Sequence, residues 1–170
     1  MKHLFPLLLL FFALPAAAQE IEWLSWEEAI ARNEAEPRKL LVDVYTDWCG
    51  WCKRMDKTSF RDPAVVAYVN EHFYAVKLDA EQEETIRYDN HDFTYDPDMG
   101  RRGVHKLAVA LLDGRMSYPS IVYLDREQRR ITISPGFKES EQLLHELTYV
   151  GSDTFRERSF QEYMEGQQGR

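Results

Sequence analysis

The chain has 170 residues, 44% of them hydrophobic and 29% charged, with a formal net charge of −8. That acidic balance argues against nucleic acid or an anionic membrane surface as a partner, and the length suits one domain with its own core. The 2 cysteines cannot make a zinc site by themselves, because four ligands are needed and no second Cys pair or closely spaced His pair completes the set.

Met1–Ala18 has the pattern of a secretory signal peptide. Lys2 supplies the positive start, Leu4–Leu14 is an apolar run interrupted by Pro6, and Ala16-Ala17-Ala18 offers small residues for cleavage. The run is short for a bilayer span, although an uncleaved anchor is its competing reading. The expected organisation is a signal peptide over 1–18, a single domain over 19–165 and a frayed tail over 166–170, in a periplasmic or secreted protein that is soluble and monomeric once cleaved.

Ser25-Trp26-Glu27-Glu28 is a capping box. It opens a short helix that Pro37 ends, and the Trp residues there are expected in the core. Lys39–Thr46 is nearly all apolar, the mark of a strand covered on both faces. Asp43 inside it is costly unless paired or protonated, or else it faces a solvated edge. The strand runs into Cys49-Gly50-Trp51-Cys52 and then a helical pattern over Trp51–Ser59.

Two cysteines three positions apart fall on one face of a helical turn, close enough to share a disulfide. At a helix N-terminus, free backbone N–H groups and the helix dipole favour the thiolate of Cys49. The thiolate is the species that attacks a disulfide, so the pattern points to dithiol/disulfide exchange. A structural disulfide is the bland alternative, but closing so short a ring removes only about 2 kcal/mol of unfolded-state entropy. A soft metal such as Cu(I) between Cys49 and Cys52, with Met55 and Met116 as further ligands, is another.

Asp62-Pro63 starts a helix carrying Val65, Val66 and Val69. Phe73–Asp79, with Lys77 inside it, is a strand, and the strand–helix–strand order calls for parallel pairing. Ala80–Gly100 is polar and aperiodic and reads as a solvated acidic insertion, lacking the Gly and Glu offsets of a calcium loop. Helical periodicity resumes over Arg101–Leu112, and His91 and His105 are expected at the surface. Ser117-Tyr118-Pro119-Ser120 precedes the strand Ile121–Leu124, and a short turn leads to the strand Arg129–Ser134 as an antiparallel hairpin. Glu139–Val150 is an amphipathic helix stopped by Gly151, and Phe155–Met164 forms a last helix.

This order of elements, with Cys-x-x-Cys after the first strand of the β-α-β unit, resembles the thioredoxin fold. Val42–Lys53 looks like the thioredoxin active-site segment, with Trp51 where thioredoxin has Pro. Met55–Pro63 is more similar to exported relatives, among them the C-terminal periplasmic domain of the DsbD thiol:disulfide interchange proteins. The resemblance covers about Leu40–Leu147 and implies an α/β three-layer sandwich, a central mixed sheet with flanking helices. A polar and helical insertion, about 83–116, precedes the cis-Pro strand; it is expected to border the Cys face and select partners.

The resemblance also implies roles. Cys49 is the exposed nucleophile and Cys52 the resolving thiol. Asp43 helps take the proton of Cys52, and Lys77 is its partner. Pro119, in cis, sets the Tyr118 backbone against the Cys pair, while Trp48, Gly50 and Trp51 shape the surface that meets substrate. No cofactor or metal is implied beyond the redox-active pair. The implied partners are client proteins with disulfides or dithiols and a membrane dithiol donor. A reductase or electron relay is the leading function; an oxidase or isomerase on the same scaffold, or a non-catalytic binding module, are the alternatives.

Overall fold

The computed structural model describes residues 20–168; the signal-peptide segment expected over 1–18 and the last two residues of the expected tail lie outside the described residues. The chain runs through β1 (Trp23–Leu24), α1 (Trp26–Ala35), β2 (Lys39–Tyr45), α2 (Gly50–Lys57), α3 (Pro63–His72) and β3 (Phe73–Asp79). Short strands β4 (Ile86–Tyr88), β5 (His91–Phe93), β6 (Tyr95–Asp96) and β7 (Val104–His105) lead to α4 (Lys106–Leu111). The hairpin strands β8 (Ser120–Leu124) and β9 (Arg130–Pro135) and the helices α5 (Ser140–Gly151) and α6 (Phe160–Gln168) complete it.

Five strands form the central sheet in the order β1-β3-β2-β8-β9. β2 pairs parallel with β3 and antiparallel with β8, so the strand that carries the Cys motif has a neighbour on each side. Its side chains alternate between two apolar layers, as a pleated strand requires. Leu40, Val42 and Val44 meet Trp26 and Ala29 of α1 and Leu107, Ala108 and Leu111 of α4. Leu41 faces the other way, onto Met55 of α2, Val65 and Val69 of α3 and Leu143 and Leu147 of α5. This is the mixed α/β sandwich implied by the sequence.

The local signals act where the chemistry says they should. Ser25 and Glu28 close the capping box of α1, and Asp62 accepts from the N–H groups of Ala64 and Val65 to start α3, with Pro63 at its first position. The β8–β9 hairpin is antiparallel, and Asp125 organises its turn by accepting from the N–H groups of Glu127 and Arg129.

Five expectations need correction. The helix expected over Arg101–Leu112 spans only Lys106–Leu111. Gly100 and Gly103 have φ of +72° and +75°, and Val104–His105 instead pairs with Tyr95–Asp96. The stretch from Ala80 is not a featureless loop, because Ile86–Tyr88 and His91–Phe93 form a hairpin and Ile86 is buried in the core. His105 is buried, not at the surface. Its Nδ1 accepts from the N–H of Leu107, capping α4, and its Nε2 lies 3.1 Å from the carbonyl of Glu84. Gly151 does not stop α5 but is its last helical residue; a Cβ there would come within 2.6 Å of the Tyr68 hydroxyl, so the glycine serves close packing. The last helix also begins later than expected, and helical structure continues over 166–168, into the segment expected to fray.

Candidate active site

The site forms where β2 ends at the centre of the sheet. Thr46 accepts from the N–H of Cys49 at 3.1 Å, turning the chain, and Cys49 becomes the N-cap of α2. Its sulfur accepts from the N–H of Cys52 at 3.1 Å. An N-cap sulfur thus occupies the place where helix N–H groups stabilise negative charge. Cys49 and Cys52 are joined in a disulfide, with Cα atoms 5.3 Å apart.

The expectation of an exposed Cys49 is corrected: it is 5% exposed against 2% for Cys52. In the disulfide its sulfur folds over the helix end toward Cys52, and the surface around it is taken up by indoles. Trp48 and Trp51 are 53% and 56% exposed, the most open large apolar side chains among the described residues. Gly50, between them, is exposed, and a Cβ on it would meet nothing within 4 Å.

Asp43 lies one strand pair below. In the parallel register it is opposite Lys77 of β3. By alternation both point to the layer covered by α2. Lys77 Nζ donates to Asp43 Oδ2 at 2.7 Å and also to Asp56, one turn past Cys52 on α2. Asp43 is 1% exposed, and its Oδ1 has no hydrogen-bond partner. Burial raises its pKa against the attraction of Lys77. Burial also works against the Lys77 ammonium, but the carboxylates of Asp43 and Asp56 outweigh it and hold the Lys77 pKa up. The alternative of a solvated edge for Asp43 is thereby excluded. The rings of Tyr45, Trp23 and Phe60 surround the ammonium at 4.9–5.4 Å.

Two aromatic flanks border the disulfide. On one, Trp48 meets Tyr118 edge-on at 6.0 Å and donates from Nε1 to Glu81 at 2.8 Å. The Tyr118–Pro119 bond is cis, and the Tyr118 phenol is pushed up to about 12 by burial and by the carboxylates of Glu81 and Asp79. On the other, Trp51 packs on Phe137 at 5.3 Å, with the Arg54 guanidinium over both rings. The loop that holds Phe137 is fixed from beneath. Buried Lys138 donates to the carbonyls of Ser134, Pro135 and Gly136, and Gly136 N–H donates to the carbonyl of Pro119.

The structure therefore gathers Cys49, Cys52, Trp48, Gly50, Trp51, Tyr118 and Pro119 around one surface, with Asp43 and Lys77 beneath. It does not gather the copper candidates. Met55 is buried in the α2/α3/α5 layer and Met116 packs against the opposite layer. Sequence reasoning missed Asp56, Glu81 and Phe137. Asp56 was detectable as a helix residue four positions after Cys52; the other two reach the site only through tertiary folding.

A dithiol pair at this helix end, in this sheet, defines a thioredoxin-like thiol:disulfide oxidoreductase. The family model described as "Thioredox_DsbH: Protein of unknown function, DUF255" matches residues 11–163, and the chain belongs to that family. It is 25% identical over 127 residues to the "Disulfide bond reductase DsbH" of Chlamydia pneumoniae, covering 72% of this chain and 69% of that one. It is 36% identical over 53 residues to the "Thiol:disulfide interchange protein DsbD" of Vibrio vulnificus, covering 31% of this chain and 9% of that one. The match to an uncharacterised Caenorhabditis elegans protein, 29% identical, spans 44% of this chain and about a tenth of that much longer one. Among solved structures, a thioredoxin-fold protein from Helicobacter pylori superposes with a TM-score of 0.61 at 18% identity, covering 78% of this chain and 86% of that one. A putative disulphide-isomerase from Bacteroides thetaiotaomicron gives 0.55 at 26% identity, covering 85% and 99%.

Proposed function

We propose that this protein is an exported reductase that passes electrons to disulfides of partner proteins through Cys49 and Cys52. The observation that carries the reading is the Cys49 sulfur at the N-cap of α2, above a buried carboxylate paired with an ammonium. The printed name of the Chlamydia relative favours the reducing direction.

In the reduced protein, the Cys49 thiolate attacks one sulfur of the client disulfide. An S–S bond forms between Cys49 and the client, and the other client sulfur leaves as a thiolate that takes a proton from water. Cys52 then gives its proton toward Asp43, and its thiolate attacks the Cys49 sulfur. The second client thiolate leaves and takes up a proton from solvent, to which Asp43 returns the one it accepted. The client has gained two electrons and two protons, and the protein holds the Cys49–Cys52 disulfide. Asp43 suits proton acceptance because its Oδ1 is unengaged and its pKa is already raised. Trp48, Gly50, Trp51, Tyr118 and Pro119 form the surface against which the client segment lies. A membrane dithiol donor of the DsbD type would return the protein to the reduced state, and the signal-like segment 1–18 would carry it to that compartment. No cofactor beyond the Cys pair is required.

An equilibrium titration against glutathione, with an insulin-type reduction assay, tests the direction. Reduction of insulin together with a potential well below that of the strong oxidants supports the reductase. A potential among the strong oxidants overturns it in favour of an oxidase or isomerase, the reading that the printed title of the Bacteroides structure favours.

A further inference from the structure

Beside the disulfide, on the Trp48 flank, lies a groove of about 490 Å³. One wall is Trp48, Glu81 and Tyr118; the other comes from the insertion, the middle of α4 and the loop after it, chiefly Met99, Arg102, Val104, Val109 and Met116. The lining is mostly apolar carbon. Its rim carries charge of the sign opposite to the molecule as a whole, which is −8.

Arg101 and Arg102 are exposed and, among the described residues, neither is in a salt bridge with a carboxylate. The Arg102 guanidinium stands 5.9 Å over the Trp48 ring. Glu81, the acidic residue of the lining, is already engaged by Trp48 Nε1. The far wall is fixed in place: Gly103 packs directly on the Tyr95 ring, and the Tyr95 hydroxyl donates to the Arg102 carbonyl. A preformed apolar trough with unpaired cations on its rim suits a segment that brings an apolar side chain and a carboxylate together.

We propose that this groove is the specificity site for the client polypeptide, and that it takes an extended segment next to the client's disulfide cysteine. An apolar side chain of that segment seats against Met99, Val104, Val109 and Met116, and an adjacent carboxylate pairs with Arg102. The inference rests on the reductase reading, and supplies the partner's chemistry. It gives content to the expectation that the insertion borders the Cys face and selects partners, since the part of the insertion that lines this groove is apolar and basic.

The test uses the full chain, pre-reduced and freed of reductant, in single-turnover reactions quenched with acid and alkylated. Two symmetric peptide disulfides serve as clients, one with Leu and Glu on both sides of its cysteine, the other with Ser and Lys. Hydroxyethyl disulfide, which has no segment to seat, is the reference. Each peptide rate is divided by the same protein's rate on that reference, so that changes in the reactivity of Cys49 cancel. The overall negative charge of the protein favours the Lys peptide, and the groove favours the Leu/Glu peptide.

The expected result is a preference for the Leu/Glu peptide of tenfold or more. It falls at least fivefold in Arg102→Glu and, through the apolar wall, at least threefold in Met99→Gln. A preference within twofold, or one that both substitutions leave unchanged, overturns the proposal while leaving the reductase in place. Failure to reduce any of the three disulfides overturns the reductase reading itself, and this inference with it. A concentration-dependent dimer that Met99→Gln abolishes would assign the groove to a second copy of the chain and overturn it as well.

Discussion

Asp43 holds one carboxylate oxygen against Lys77 and leaves the other without a partner in the interior. Because burial raises its pKa in the folded chain, its ionised form opposes folding. The stability linked to this group is fully present below the ordinary Asp pKa and is lost as pH rises through the raised one. Asp43→Asn is therefore expected to stabilise the oxidised protein at pH 8, read as a higher urea midpoint. The gain should vanish near pH 3 in urea titrations. Lys77 is not stranded by the change, since it keeps Asp56 and is partly solvated. The same substitution should slow resolution of the mixed disulfide at neutral pH by about a hundredfold, the low end of the effect of a lost general base. Cys52→Ser should trap the mixed disulfide with client, visible on a non-reducing gel, whereas Cys49→Ser should form none.

At the level of elements, the strands and helices that carry the Cys pair follow from local rules. β2 is an unbroken apolar run, α1 and α3 begin at strong caps, and the β8–β9 hairpin has its Asp-centred turn. The insertion does not follow from them, because its order comes from pairings that no periodicity reveals. Gly103 is helical by its neighbours' spacing yet left-handed in fact, and β1 is two residues long, paired only through tertiary contact with β3. Gly103→Ala is expected to cost about 1–2 kcal/mol for the left-handed backbone and more for the displaced Tyr95 ring, read as a lower urea midpoint. His105 fixes the other end of the insertion. Burial lowers its pKa, against the pull of the Glu84 carbonyl. The stability tied to its neutral form is present above the ordinary His pKa and is lost as pH falls through the lowered one. The protection factor of the Leu107 amide should fall below about pH 6, the region of an ordinary His pKa, and stay flat in His105→Asn, which keeps a capping acceptor.

For the molecule as a whole, redox direction and stability are two sides of one cycle. A protein that reduces its clients must hold its own disulfide more favourably than its dithiol, so the oxidised form should unfold at a higher urea concentration than the reduced form. The reverse order, as in a protein whose reduced form is stabilised, would mark an oxidant. The class of fold and the reacting pair were legible in the sequence because β2, Cys49 and Cys52 are contiguous. Asp43 stood out as a carboxylate in an apolar strand, but its pairing with Lys77 was legible only by resemblance, since 34 positions separate them. The groove, Asp56, Glu81 and Phe137 join the site through packing across layers, which no local pattern encodes.

The two indoles beside Cys49 and Cys52 have a practical consequence. A disulfide is an efficient quencher of a neighbouring excited indole, and a pair of thiols is a weaker one. Trp48 and Trp51 therefore give the chain an internal optical gauge, brightening as it gains two electrons. The redox state of the unlabelled protein can then be followed by its own emission.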